Sequence, residues 1–211
     1  MQEIRNIIFD FGGVILNIDF QRSIEAFQAL GIGKDPSFFF EFGQSEIYSN
    51  LEKGLISEKD FYDHIRRVSG VQASDEDLRR AWDAVLLDMP EERVELLKKV
   101  RQHYRIFLLS NTNAIHYETY NGAFRLRYRH DFEEFFEKAY WSFRIGMRKP
   151  SPTTFQWVLN DAGLKASETL FIDDTLKHVE GARVAGIKGF HLHNTELTSL
   201  FDGNGKLKIT L

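Results

Sequence analysis

Two adjacent carboxylates, Asp173-Asp174, follow the apolar run 169–172, and a third, Asp10, ends the apolar run 4–9. Neighbouring carboxylates at one strand tip repel unless a cation or water separates their charge, and hard oxygen donors favour Mg²⁺ over zinc. Ser110-Asn111, after the run 105–109, brings hydrogen-bond donors of the kind that hold developing negative charge. Lys149, in Gly146-Met147-Arg148-Lys149-Pro150, adds a cation. Taken singly, each feature has a plainer reading: Asp10 as a turn cap, Ser110-Asn111 as a helix N-cap, an acid at a helix start on the macrodipole. The macrodipole accounts for one member of the acidic pair but poorly for both.

Residues so far apart meet only where a fold gathers strand ends. The runs 4–9, 105–109 and 169–172 each stop at a polar tip, and two further strands are expected over 138–142 and 188–192. Helical stretches over 91–103, 153–162 and 176–185 lie between them, and Pro150 and Pro152 form a rigid lead into the second. This alternation predicts an α/β fold, a Rossmann-like open parallel sheet with helices on both faces. Ligands in such sheets bind outside the carboxyl ends of the strands. Between residues 17 and 88 the pattern turns helical. Ser57 with Asp60 and Ser74 with Asp77 read as N-caps with an acid three residues on, and Gly70 and Pro90 as the stops of the helices they begin. The expectation is an α/β core over 1–16 and 89–211 and a helical cap, 17–88, inserted after the first strand and roofing the site. Phe38-Phe39-Phe40-Glu41-Phe42 is expected in the core of that insert.

The 211 residues suit one core carrying a small insert, and 43% hydrophobic with 27% charged residues suits a chain folded throughout. A net charge of −4 gives no general reason to bind nucleic acid or an anionic membrane. The lack of cysteine excludes disulfides, thiolate metal sites and cysteine nucleophiles. No signal-peptide pattern opens the chain and no run reaches membrane-spanning length, so a cytoplasmic protein, monomer or homodimer, is expected.

In their order along the chain, Ile7-Ile8-Phe9-Asp10-Phe11-Gly12-Gly13-Val14, Ser110-Asn111, Lys149-Pro150 and Phe171-Ile172-Asp173-Asp174 resemble the four motifs of the haloacid dehalogenase-like superfamily. The resemblance implies a Mg²⁺-dependent phosphatase acting on a small phosphorylated metabolite. Asp10 would be the nucleophile that forms a covalent intermediate. Ser110, Asn111, Phe11 and Gly12 would hold the phosphoryl oxygens, and Lys149 would offset charge. Asp10, Asp174, the Gly12 carbonyl and Asp173, directly or through water, would hold the metal. The usual second aspartate of the first motif is here Gly12, which keeps the carbonyl and loses the general acid, a loss of about 10²- to 10⁴-fold. A subgroup of sugar-phosphate phosphatases shares this glycine, and further stretches such as Gly54-Leu55-Ile56-Ser57 resemble it, implying a phosphosugar-sized substrate.

Two other readings stay open. The same aspartate acting on carbon would make a 2-haloacid dehalogenase, although two negative charges beside an anionic substrate argue against it. A protein that binds phosphate esters with weak turnover would also suit Gly12. Of the remaining groups, Arg148 is expected as a solvated neighbour of Lys149, and His178 as a peripheral histidine or a proton donor. The basic stretch Arg125, Arg127, Arg129, His130 is expected as a solvated helix end, and specificity is expected around Phe42, Gln44, Tyr48 and Glu52.

Overall fold

Short apolar runs bounded by polar tips fold as buried parallel strands. In the computed structural model, which describes residues 3–33, 43 and 45–209, the strands are β1 (Asn6–Phe9), β2 (Arg105–Ser110), β3 (Lys138–Trp141), β4 (Thr169–Asp173) and β5 (Lys188–His191). They form one parallel sheet in the order β3-β2-β1-β4-β5. The helices are α1 (Phe20–Ala29), α2 (Glu46–Glu52), α3 (Glu58–Ser69), α4 (Asp75–Asp83), α5 (Glu91–Val100), α6 (Ala114–Tyr128), α7 (Ser142–Ile145), α8 (Pro152–Ala162) and α9 (Leu176–Val184).

The two-residue period of a strand sends alternate side chains to opposite faces. Ile7 and Phe9, Ile106 and Leu108, Leu170 and Ile172 bury into one apolar layer with Val94 and Leu97 of α5 and Phe124 of α6. Ile8, Phe107, Leu109 and Phe171 bury into the other with Phe155 and Val158 of α8 and Ala182 of α9. Both faces are therefore covered, as the continuous apolar runs require. Gly181 lets α9 lie against the Pro150 carbonyl, which a Cβ at that position would strike.

Residues 17–88 carry their own apolar cluster, in which Phe27, Leu51, Phe61, Ile65, Leu78 and Trp82 enclose one another and meet Ile115 of α6. Their two connections to the sheet run side by side: Asn17 N–H donates to the Asp88 carbonyl at 3.0 Å and Asp19 N–H to the Val85 carbonyl at 2.9 Å. Ser57 and Asp60 cap each other reciprocally at the start of α3, and Gly70, at φ 71°, ends it. Pro90 does not stop the helix begun at Ser74. That helix ends at Asp83, and Pro90 instead precedes the first turn of α5, where a missing N–H costs nothing. The tract 38–42 and Gln44 lie outside the described residues.

Candidate active site

Asp10 leaves the end of β1, and its N–H donates to the Ile172 carbonyl of β4 at 2.9 Å. Because Phe9 pairs with Ile172, one step further along the register brings Asp10 level with Asp173. Lys149 arrives from the α7–α8 connection and is wholly buried. Its Nζ stands 2.6 Å from Asp10 Oδ1 and 2.6 Å from Asp173 Oδ2. One ammonium thus clamps two strand tips.

Asp173 is nearly saturated. Its Oδ1 accepts the Thr175 N–H at 2.7 Å, and His178 Nδ1 lies 3.1 Å from both oxygens. Asp174 meets the Thr175 hydroxyl at 3.4 Å, and its carboxylate rests on Gly13, where a Cβ would overlap it. Burial, then the charge of Asp173, pushes the Asp10 carboxyl up to about 8 in spite of Lys149. Burial and Asp173 likewise raise Asp174. Burial would raise Asp173 too, but Lys149 and His178 hold it well below the usual carboxylate range. Burial works against the charge of Lys149, but Asp10 and Asp173 outweigh it and raise its pKa.

These opposed shifts test whether a divalent cation suits the site. Three carboxylates face one ammonium, and a carboxyl as high as that of Asp10 is a poor nucleophile until further positive charge approaches. Asp10, Asp173 and His178 bring possible ligand atoms within 4.8 Å of one another. Yet Asp173 is already engaged by Lys149, Thr175 and His178. The more open oxygens are those of Asp174, which the Thr175 hydroxyl meets at 3.4 Å, and the Gly12 carbonyl, which accepts no main-chain N–H among the described residues. The donor set is all oxygen and excess negative, which suits Mg²⁺.

Above these tips lies a cavity of about 220 Å³ bordered by Asp10, Gly12, Ser110, Asn111, Lys149 and Asp174. Phe11 also borders it, and its ring packs against Tyr120 at 4.5 Å and Phe132 at 5.0 Å. The Asn111 side chain is engaged within the protein. Its Nδ2 donates to the Lys149 carbonyl and its Oδ1 accepts the Lys149 N–H, both at 2.9 Å. Only its main-chain N–H remains for a ligand.

Arg148 is not a solvated neighbour. Its Nη2 stands 2.5 Å from Glu52 Oε2 of α2, and the guanidinium carbon lies 5.6 Å from the Tyr48 ring centroid. Sequence reasoning had also passed over His116. It stacks on Trp82 at 4.9 Å, and its Nε2 lies 3.1 Å from the Trp82 carbonyl. Burial pushes it down to about 4. A neutral ring with Nε2–H donating fits that partner. Only the juxtaposition of α4 and α6 creates this contact, so no local pattern announces it. His178 does reach the acidic pair. His191 donates through Nε2 to the Asp174 carbonyl at 2.9 Å. Arg125 and Arg127 form exposed ion pairs with Asp131 and Glu91 at the end of α6.

The fold has counterparts. The family model described as haloacid dehalogenase-like hydrolase matches residues 4–186. The chain belongs to the haloacid dehalogenase-like hydrolases. It is similar to the D-ribitol-5-phosphate phosphatase of Bacteroides thetaiotaomicron, 28% identical over 90% of this chain and 93% of that one. It is similar also to a sesquiterpene phosphatase of Aspergillus oryzae, 26% identical over 92% of each. Among solved structures, the HAD family enzyme bt-2542 of Bacteroides thetaiotaomicron, in complex with magnesium and inorganic phosphate, superposes with a TM-score of 0.85 at 36% identity, covering 94% of this chain and all of that one.

Proposed function

We propose that the protein is a Mg²⁺-dependent phosphomonoester hydrolase acting on a small phosphorylated metabolite through an aspartyl phosphate on Asp10. The carrying observation is the buried Lys149 ammonium between Asp10 and Asp173, beneath a cavity that Asp174 and Gly12 also border. Asp10, Asp174 and the Gly12 carbonyl would hold the ion, with Asp173 behind them. Bound there, Mg²⁺ supplies charge neutralisation for the phosphoryl group and the carboxylates.

Asp10 Oδ attacks phosphorus, forming the acyl phosphate bond as the ester P–O bond breaks in line with it. The Ser110 hydroxyl and the N–H groups of Phe11, Gly12 and Asn111 orient the phosphoryl oxygens, and Lys149 offsets their charge. The leaving alkoxide takes its proton from outside position 12, because Gly12 has none to give. Water then attacks phosphorus, releasing phosphate and restoring the carboxylate.

Residues 17–88 are the cap in this reading, supported by their separate apolar cluster and by the paired connections at Asn17–Asp88. Among the described residues no helix is long and apolar enough to cross a membrane, and we place the enzyme in the cytoplasm. Two of the relatives it resembles over nearly their whole length are phosphatases, which favours phosphorus over carbon as the target. Phosphate release from p-nitrophenyl phosphate with Mg²⁺ and with chelator tests the scheme. Full loss in chelator and with Asp10→Asn is expected, whereas equal rates would remove the metal, and chloride release from a 2-chloroacid in place of phosphate would replace the reaction.

A further inference from the structure

β2 and β3 stay in register only as far as the pair Ser110 and Trp141. Past that pair β3 turns into α7, which begins at Ser142, so β3 offers no further rung to the main chain of residues 111–112. A side chain takes the place of the missing rung. The Ser142 hydroxyl accepts the Thr112 N–H at 2.9 Å and donates to the Thr112 carbonyl at 2.8 Å. One hydroxyl thus meets both main-chain polar groups of one residue, using its single O–H and one of its two lone pairs. Ser142 has no exposed surface, and it is not one of the described residues that border the cavity.

From this we infer that Ser142 is a positioning residue, which aims the Asn111 N–H at the phosphoryl group without touching the substrate. The inference rests on the phosphatase reading and adds to it the residue that sets the direction of one donor.

The stretch 110–113 is tied down at every step. Ser110 ends β2, and Asn111 grips the Lys149 main chain through its side chain. Thr112 is clamped by Ser142, and Asn113 accepts the His116 N–H at 3.0 Å at the start of α6. The ties of Asn111 and Asn113 run through their own side chains. Those of Ser142 end on main-chain atoms of Thr112, so they fix the plane of the peptide that joins it to Asn111. Asn111 therefore sits between a strand end and a clamped peptide, which leaves its own N–H one direction. A donor aimed before the substrate arrives costs no reorganisation at the moment of reaction. Without the Ser142 hydroxyl, the Thr112 N–H and carbonyl are buried with no partner from α7, and the peptide turns to find others.

A serine that served the fold alone would leave the preference of the site among anions untouched, and this separates the two roles. The test compares inhibition by orthovanadate, which takes up the five-coordinate shape of the transition state, with inhibition by tetrahedral inorganic phosphate, in the Mg²⁺-loaded protein. Donors aimed at transition-state oxygens favour the first anion over the second. Ser142→Ala is expected to lower the phosphate-to-vanadate ratio of inhibition constants by about tenfold or more. It is also expected to lower kcat by about 10²-fold, the loss typical of one misaimed donor, with KM changed only a few-fold. Ser142→Cys keeps nearly the same volume with a weaker donor and acceptor, so an intermediate ratio is expected.

An unchanged ratio and kcat in Ser142→Ala overturn the inference and leave the phosphatase intact. A lower urea midpoint with the ratio unchanged shows a purely structural role and overturns it too. If Ser142→Ala does not fold, the ratio in Ser142→Cys decides, and failure of both to fold assigns the serine to the fold and overturns the inference. No phosphate release from p-nitrophenyl phosphate by the wild type overturns the phosphatase reading and this one with it.

Discussion

The side-chain amide of Asn111 closes a two-bond ring with the main chain of Lys149, donating to its carbonyl and accepting its N–H, each at 2.9 Å. A strand-tip residue thereby fixes the peptide that carries the central ammonium, as a neighbouring strand would. Asn111 is on this view a positioning residue, and misplacement of a catalytic group by about 1 Å costs on the order of 10²-fold. Asn111→Ala is expected to lower kcat by that amount with KM changed only a few-fold, read by steady-state phosphate release. Unchanged kcat would mean that the 146–150 connection holds itself.

Lys149 itself separates two buried carboxylates. Removing one partner of a buried pair costs about 3–5 kcal/mol because the other is left uncompensated. Lys149→Met is expected to abolish turnover and to lower the urea midpoint by an amount corresponding to roughly 3 kcal/mol. A variant that is inactive yet as stable as the parent would show that Asp10 simply takes up a proton.

The contact between Gly13 and Asp174 makes a sharper prediction. Gly13 lies at φ 78°, and a Cβ there would overlap the Asp174 carboxylate. Gly13→Ala must therefore turn the Asp174 carboxylate away. The Mg²⁺ concentration for half-maximal activity is expected to rise more than tenfold, and an unchanged metal requirement would take Asp174 out of the ligand set.

His116 gives the fold an acid-labile point. Its pKa falls from 6.5 to about 4, first through burial and further through Arg79, against the favourable Trp82 carbonyl. The unfolded chain thus binds this proton more tightly than the folded one. The stability contribution is complete above pH 6.5 and is lost as pH falls towards 4, to a total of roughly 3 kcal/mol. His116→Gln is expected to flatten this window in denaturant titrations at pH 4.5, 5.5 and 6.5. The same slope in both proteins would assign the acid sensitivity elsewhere.

The strand tips were legible in the sequence because each buried strand must end where its apolar run ends, and in a parallel sheet all such ends face one way. The five-strand sheet and the positions of Asp10, Ser110 and Asp173 follow from that alone. The Glu52–Arg148 pair and the His116–Trp82 stack were not legible. Their partners lie on different helices or connections, and nothing in the local spacing of Arg148 distinguishes a paired, half-buried side chain from a solvated one. Asn111 shows the same limit from the other side. Its place at a strand tip was evident, but which of its atoms stay free depended on where the 146–150 connection came to rest. The misplaced stop at Pro90 is a simpler matter, since proline is tolerated just before a helix as readily as just after one.

The Lys149 clamp spans β1 and β4, strands that become neighbours only after the intervening chain has gone out to the far edge and returned. No contiguous stretch of the polypeptide holds both anchors together, so the centre has no half-assembled form. Enzymatic competence is therefore expected to be lost together with the folded sheet, with catalysis and sheet structure disappearing along one denaturation curve.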